Sequence, residues 1–298
     1  MADKTLQLTD IGAVRSLMER HGVDFKKSLG QNFLISEAVP RRIAESVADE
    51  ISALGEIGIG LSGVLEVGPG IGPLTVELCR RVSRVRAVEL DRTLIPVLNE
   101  TLAEFDNVTV TNADFMEVDL PQFVNEHFSE TCRYAVAANL PYYITTPVIM
   151  KLLESEVPPE FVTVMVQREV ARRLCAKPGD AEYGAVTAAV AWYGSAKRII
   201  DVPAGCFMPK PKVDSAVIMI KKHRTPPAFL KDGAPLSKVI RGAFAQRRKT
   251  LSNSMASVFS NITRDELNAA IERAGINPAT RGETLGIAEF AAIANELI

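Results

Sequence analysis

Short apolar runs rich in β-branched residues alternate with helical patterns along the first two thirds of the chain. Glycine, proline, asparagine or aspartate bounds most of these runs, which predicts strands. Helices are predicted between them, over 74–81, 94–105 and 147–154. Such alternation indicates an α/β fold, with a parallel sheet covered by helices on both faces. The predicted strands are VLEVG at 64–68, VRAVEL at 85–90, VTVTNAD at 108–114, YAVAANL at 134–140 and FVTVMVQ at 161–167.

The pattern changes after one more apolar strand, VDSAVIMIKKH at 213–223. The segment HRTPPAFLKDGAP at 223–235 contains three prolines and a glycine, a composition typical of a linker. Only helical patterns follow it, over 236–245, 251–259, 264–274 and 287–297. We therefore predict two domains, residues 1–225 and residues 226–298, of which the second is small and all-helical.

Composition places the chain among ordinary globular proteins. It has 298 residues, of which 47% are apolar and 23% are charged, enough for one large domain and a smaller one. The first residues, MADKTLQLTD, lack the basic segment and apolar core of a signal peptide, so we expect a cytoplasmic protein without a membrane span. The four cysteines are widely separated and form no CxxC pair, which favours reduced thiols over a disulfide framework or a metal site.

Positive charge is concentrated in one stretch. Residues 205–250 contain eleven Lys or Arg against two Asp, a net charge of +9 in a chain whose overall net charge is −2. Such asymmetry predicts a face that binds phosphates, and therefore a nucleic-acid partner. A solvated basic surface is the alternative that charge alone leaves open.

A glycine-rich turn, EVGPGIG at 66–72, follows the first strand and precedes a helix. Glycines allow a tight turn and close approach of the backbone to a ligand. The dinucleotide fingerprint requires a third small residue at position 73, where this chain has Pro73, although Glu89 lies where a ribose-binding acid is expected. S-adenosylmethionine, which has a ribose and an adenine but no pyrophosphate, fits this pattern better than NAD.

Two acidic residues come at the ends of successive predicted strands. Glu89 ends the second strand, where it can accept from ribose hydroxyls, and Asp114 ends the third, where it can accept from the adenine amino group. Either residue alone could be a helix cap or a turn residue. Their occurrence at consecutive strand ends favours the cofactor site.

The fourth strand ends in NLPYYIT at 139–145. The Asn139 side-chain oxygen and the Leu140 carbonyl can accept the two N–H hydrogens of an adenine amino group, which directs its lone pair at a methyl donor without a general base. Pro141 fixes the backbone, and Tyr142 can stack on a base that is splayed out of RNA or DNA. These residues predict adenine N6 methylation, although a turn with core tyrosines remains the alternative.

Eight motifs in order give the chain a family resemblance. It resembles the bacterial small-subunit ribosomal RNA adenine dimethyltransferases of the KsgA type from about Lys26 to its end, which implies a Rossmann-like, S-adenosylmethionine-dependent methyltransferase fold with a helical C-terminal domain. Tyr143 is a departure, since many members have asparagine there. The motifs are KKSLGQNFL (26–34), EVGPGIGPLT (66–75), VELD (88–91), NADF (112–115), NLPYYITTP (139–147), VQREVARRL (166–174), FMPKPKVDS (207–215) and FAQRRKTL (244–251).

The resemblance implies transfer of two methyl groups to N6 of each of two adjacent adenosines near the 3′ end of 16S ribosomal RNA, within an assembling small subunit, by a protein expected to be a monomer. It adds Phe207 as the ring opposite Tyr142, so the implied catalytic residues are Asn139, Leu140, Pro141, Tyr142 and Phe207. The implied cofactor residues are Gln31, Asn32, Leu34, Gly68, Gly70, Glu89, Asp114 and Asn139. Phosphate contacts are expected from Lys210, Lys212, Arg247, Arg248 and Lys249, the last three on the first helix of the second domain.

Two other functions compete with this one. A resistance methylase of large-subunit RNA would share the pocket, but the FAQRRKT helical domain and NLPYYITTP favour the small-subunit enzyme. A ribosome-assembly factor that has lost the chemistry is disfavoured because Gly68, Glu89, Asp114, Asn139 and Tyr142 are intact. Outside the motifs, DIGAVRSLMERHG at 10–22 predicts an amphipathic helix that packs on the sheet rather than contacting RNA.

Overall fold

The structure, a computed structural model, describes residues 8–23, 33–128 and 133–298. Gln31 and Asn32, and the basic pair Lys26 and Lys27, lie outside the described residues. Strands are designated β1 to β9 and helices α1 to α12 in chain order. The strands are Phe33–Leu34, Val64–Val67, Val85–Glu89, Val108–Asn112, Ala135–Asn139, Phe161–Gln167, Gly194–Val202, Phe207–Met208 and Ser215–Lys222. The helices are Ile11–Arg20, Ala38–Glu56, Pro73–Cys79, Ile95–Thr101, Leu120–His127, Thr145–Leu153, Arg168–Leu174, Ala185–Tyr193, Leu236–Phe244, Leu251–Ala256, Arg264–Arg273 and Ile287–Asn295.

The chain packs into two compact units, one of residues 1–171 and 197–221 and the other of residues 172–196 and 222–298. The boundary predicted at residue 225 is therefore displaced by a few residues. The assignment of 172–196 to the first domain also differs from the packing, because Tyr183 is buried in the helical core and donates a hydrogen bond from its hydroxyl to the Leu285 carbonyl at 2.9 Å.

Seven strands form the main sheet in the order β4-β3-β2-β5-β6-β9-β7. The five predicted strands from β2 to β6 are present and pair in parallel. β9 pairs antiparallel with β6, so the sheet is mixed rather than parallel throughout. β2 lies between β3 and β5, so the strand order runs from β2 toward β4 on one side and then from β5 outward on the other. Ligands of such sheets usually bind at the carboxyl ends of the strands where the order reverses.

Apolar side chains of α2 and α3 cover one face of this sheet. Val39, Ile43 and Val47 of α2 recur every four residues and are buried, together with Leu74 and Leu78 of α3. Spacing of this kind places them on one helical stripe, and full burial of each aliphatic side chain contributes about 1.5–3 kcal/mol. No helix in the described part of the chain is long and apolar enough to cross a membrane.

The predicted N-terminal amphipathic helix is α1. Asp10 caps it by accepting a hydrogen bond from the Ala13 backbone N–H at 2.8 Å. Its buried side chains, Val14, Leu17 and Met18, pack in one cluster with Ile71 of the glycine-rich turn. The helix thus packs on the protein, but its cluster is with the glycine-rich turn and with Leu94 and Val97 rather than with strands of the main sheet.

Helices α9 to α12 form the core of the second unit. Apolar residues such as Val239, Met255, Ile271 and Phe290 are completely buried in it. α10 ends at Ala256, three residues before its predicted end. The basic residues 247–249 lie on the turn between α9 and α10, so their predicted place on the first helix is wrong.

Candidate active site

A cleft of about 1120 Å³, including the part open to solvent, lies at the carboxyl ends of β2 to β5 in the first unit. The predicted residues that it brings together are Leu34, Gly68, Gly70, Glu89, Asp114, Asn139, Leu140, Pro141, Tyr142 and Phe207.

The glycine-rich turn has the backbone conformation that its sequence predicts. Gly68 and Gly70 have φ values of 70° and 63°, in the left-handed region that favours glycine. The Gly68 N–H donates to the Val88 carbonyl at 2.9 Å, and the Gly70 N–H donates to Glu89 Oε2 at 3.0 Å. The turn is therefore tied to β3 at two points.

Glu89 is held in place by the backbone around it. Its second oxygen, Oε1, accepts from the Asp91 N–H at 2.8 Å, and the residue is 6% exposed. Burial raises the pKa of Glu89, while the hydrogen bonds from the Asp91 and Gly70 backbones act in the opposite direction. Each carboxylate oxygen retains a lone pair that can accept from a ligand hydroxyl.

Asp114 lies on the next loop and does two things. It lines the cleft. Its Oδ1 also accepts a hydrogen bond from the Met116 N–H at 2.8 Å, so Asp114 is at the same time a turn residue, which is the other role that the sequence leaves open for it. Lys151 of α6 holds the same loop, because its Nζ donates to the carbonyls of Met116 at 2.7 Å and Val118 at 2.8 Å.

The turn after β5 is also fixed by hydrogen bonds. The Pro141 carbonyl accepts from the Ile144 N–H and from the Thr145 hydroxyl, both at 3.2 Å. Tyr142 is half-buried and lines the cleft, and Tyr143 is 61% exposed. The two tyrosines are therefore not core residues, which removes the structural alternative for this motif.

Phe207 reaches the cleft from a separate two-stranded sheet. It pairs with Leu34 across β1 and β8, and both side chains line the cleft. Phe207 is only 4% exposed and also belongs to the apolar cluster beneath the sheet. It is therefore both a core residue and part of the cleft wall.

Glu66 is a cleft residue that the sequence analysis missed. It is 1% exposed on β2, and its Oε2 is buried without a hydrogen-bond partner in the described structure. Burial, with a smaller contribution from the charge of nearby Glu89, raises the pKa of Glu66 to about 8. A charged residue inside the apolar strand VLEV is the sequence feature that could have indicated it.

The predicted phosphate contacts do not line this cleft. Lys210 and Lys212 are exposed between β8 and β9 of the first unit, and Arg248 and Lys249 are exposed in the second. Arg247 is partly engaged within the second unit, because its Nε lies 3.2 Å from Glu283 Oε2 and its Nη2 donates to the Ala181 carbonyl. Across residues 8–23, 33–128 and 133–298, no group of three His, Cys, Asp or Glu side chains is arranged to hold a metal ion.

Comparison with solved structures relates the fold to RNA methyltransferases. The crystal structure of the 23S rRNA methyltransferase ErmE superposes with a TM-score of 0.64 at 26% identity, over 89% of this chain and 99% of that one. A dimethyladenosine transferase from Plasmodium falciparum shares the fold, with a TM-score of 0.66 at 23% identity over 83% and 94% of the two chains.

Sequence comparison is more specific. The chain is 44% identical to the ribosomal RNA small subunit methyltransferase A of Geobacillus thermodenitrificans over 96% of both chains. It is also 44% identical to the protein of that name from Bacillus cereus over 95% of both. The model of the family described as ribosomal RNA adenine dimethylase matches residues 22–298. Nearly the whole chain, including the glycine turn, both strand-end acids and the Asn139–Tyr142 turn, therefore belongs to the ribosomal RNA adenine dimethylase family.

Proposed function

We propose that this protein uses S-adenosylmethionine to dimethylate N6 of two adjacent adenosines near the 3′ end of 16S ribosomal RNA, as a monomer acting on assembling small subunits in the cytoplasm. The observation that carries the proposal is the convergence of Glu89, Asp114 and the Asn139–Tyr142 turn on one cleft. These residues divide into a proposed cofactor subsite and a proposed subsite for the target base.

The cleft residues fit the cofactor. Glu89 is oriented by Gly70 and Asp91 to accept from ribose hydroxyls, and Asp114 has an oxygen outside its own turn that can accept from the adenine amino group. The buried Glu66 Oε2, which lacks a partner among the described residues, suits a cationic group of the ligand. Leu34 and the glycine turn complete the proposed cofactor subsite, and Gln31 and Asn32 are proposed to extend it. When bound, S-adenosylmethionine supplies an electrophilic methyl group.

The target base is proposed to enter beside Asn139. Its side-chain oxygen and the Leu140 carbonyl accept the two amino hydrogens of adenine, which localises the nitrogen lone pair and directs it toward the methyl group. Pro141 and its two hydrogen bonds hold this turn rigid. Tyr142 and Phe207, named here the base clamp, stack on the two faces of the splayed base. Each transfer leaves the nitrogen with one proton to lose, which solvent accepts.

Small-subunit RNA is the favoured substrate over large-subunit RNA. The fold is shared with ErmE, whose name specifies 23S rRNA, but the 44% identity over 96% of the chain is to proteins named for the small subunit. Lys210, Lys212, Arg248 and Lys249 are exposed and are proposed to contact phosphates. Arg247 is proposed to contribute charge while remaining paired with Glu283.

Nucleoside mass spectrometry tests the function. Small and large subunits from a strain that lacks the methylation are incubated separately with the protein and S-adenosylmethionine. The proposal predicts N6,N6-dimethyladenosine in 16S RNA only. Product in 23S RNA instead would support the resistance methylase, and tight binding to small subunits without product would support the assembly factor.

A further inference from the structure

Ser215 connects the base clamp to the rigid sheet. It is the first residue of β9, is completely buried, and its backbone pairs with Gln167 of β6. Its hydroxyl oxygen lies 2.9 Å from the hydroxyl oxygen of Tyr142. Tyr142 lies on a turn, whereas Ser215 lies in a strand interior to the sheet, so this hydrogen bond ties the ring of Tyr142 to a fixed point.

Asp214, the preceding residue, holds the segment that leads to the other ring. Its Oδ1 accepts from the Ala204 N–H at 2.9 Å, and Ala204 begins the short turn that runs directly into Phe207. Its Oδ2 lies 2.8 Å from Arg168 Nη2, and its carbonyl accepts from the Arg168 N–H at 2.9 Å. The approach to Phe207 is thus tied to the end of β6.

From these contacts we infer that Asp214 and Ser215 are positioning residues that set the relative placement of the two rings of the base clamp. The inference rests on the proposed function, since the clamp is defined by the base that it holds. Neither residue is among those that line the cleft. Their effect is on geometry, and a displacement of about 1 Å at a reacting centre can cost about 10²-fold in rate.

A double-mutant cycle tests the Ser215 half of the inference. Ser215→Ala and Tyr142→Phe each remove one hydroxyl of the same hydrogen bond, and both variants keep an aromatic ring at position 142. Each single variant is expected to lower kcat on the RNA substrate by about tenfold and to change KM for S-adenosylmethionine by no more than about twofold. The double variant is expected to lose no more kcat than either single variant, because both substitutions remove the same hydrogen bond. Thr163→Val removes a completely buried hydroxyl without a partner in the described structure, from β6 of the same sheet, and should leave kcat unchanged.

A second measurement does not depend on turnover. RNA that carries 2-aminopurine at the target position loses fluorescence when the base stacks between aromatic rings. Wild type should quench it strongly, and Ser215→Ala and Asp214→Ala should bind the RNA with similar affinity but quench it less. Equal quenching by all three proteins, or additive kcat losses in the cycle, would overturn the inference. If wild type forms no dimethyladenosine, the proposed function fails, and the quenching comparison alone decides the positioning role.

Discussion

Glu66 and Glu89 lie on neighbouring parallel strands, line the same cleft and are both almost fully buried. Burial raises the pKa of Glu66 to about 8, and the charge of Glu89 makes a smaller contribution to this rise. Two carboxyl groups in a site of this kind resist simultaneous ionisation. The pair therefore favours a cationic ligand, and its own titration gives the first prediction.

Glu66→Gln should change the pH dependence of stability. The pKa of Glu66 rises from 4.5 to about 8 on folding, so the folded state binds this proton more tightly than the unfolded state. Its contribution to the free energy of unfolding is full below about pH 4.5 and is lost as pH rises toward 8, by up to about 1.4 kcal/mol per pH unit. Glutamine stays neutral at every pH. Urea unfolding at pH 5, 6, 7 and 8 should therefore show that the free energy of unfolding of the variant increases relative to that of wild type as pH rises. A difference in the free energy of unfolding that does not vary with pH would contradict this prediction. Glu104→Gln, at an exposed position, is the control.

Glu89→Ala should weaken cofactor binding. The change removes the proposed ribose acceptor and the anchor of the Gly70 N–H. A hydrogen bond to a charged group contributes about 1.5–3 kcal/mol, so the Kd for S-adenosylmethionine in calorimetry should rise at least tenfold. Glu117→Ala, in an exposed carboxylate that does not line the cleft, serves as the control. The ribose role is wrong if both variants bind like wild type.

Lys151→Met should weaken cofactor binding, although Lys151 is not proposed to contact the cofactor itself. The ammonium group holds the Asp114 loop through two backbone carbonyls and lies 5.5 Å from the centre of the Phe115 ring. Loss of this support should raise the Kd for S-adenosylmethionine by about tenfold and leave kcat at saturating cofactor nearly unchanged. Lys197→Met, at an exposed position on β7, should do neither. An unchanged Kd for Lys151→Met would show that the loop holds its shape unaided.

The basic turn of the second unit should contribute to RNA binding through charge. Arg248→Ala and Lys249→Ala should each reduce the slope of log K against log salt by about 0.7–0.9, because each removes one proposed phosphate contact. Thermal unfolding of these two variants should match wild type. Arg247→Ala should also lower Tm, because this guanidinium pairs with Glu283. Unaltered salt slopes would identify the turn as solvated surface.

Sequence reasoning identified β2, β3, β5, β6 and β9 because their apolar runs are nearly continuous and mostly buried. It identified β4, none of whose residues is fully buried, from the β-branched residues of VTVT. It missed β7, whose burial is mostly partial and whose sequence, GSAKRIIDV, mixes charges with apolar residues. The places of Glu89 and Asp114 in the cleft could be predicted because both follow strands whose carboxyl ends meet there. The contact between Tyr142 and Ser215 joins residues 73 positions apart, and no periodicity along the chain encodes it. The placement of 172–196 in the helical unit likewise depends on tertiary packing of Tyr183.

The most direct test of the central claim is the single-turnover rate of methyl transfer to 16S RNA by Asn139→Ala at saturating S-adenosylmethionine. Removal of the acceptor that is proposed to orient the adenine amine should lower this rate by about 10²–10³-fold while RNA affinity is retained. Asn125→Ala, at an exposed position on α5, should transfer methyl groups at the wild-type rate. An undiminished rate for Asn139→Ala would contradict the proposed role of the cleft in orienting the base.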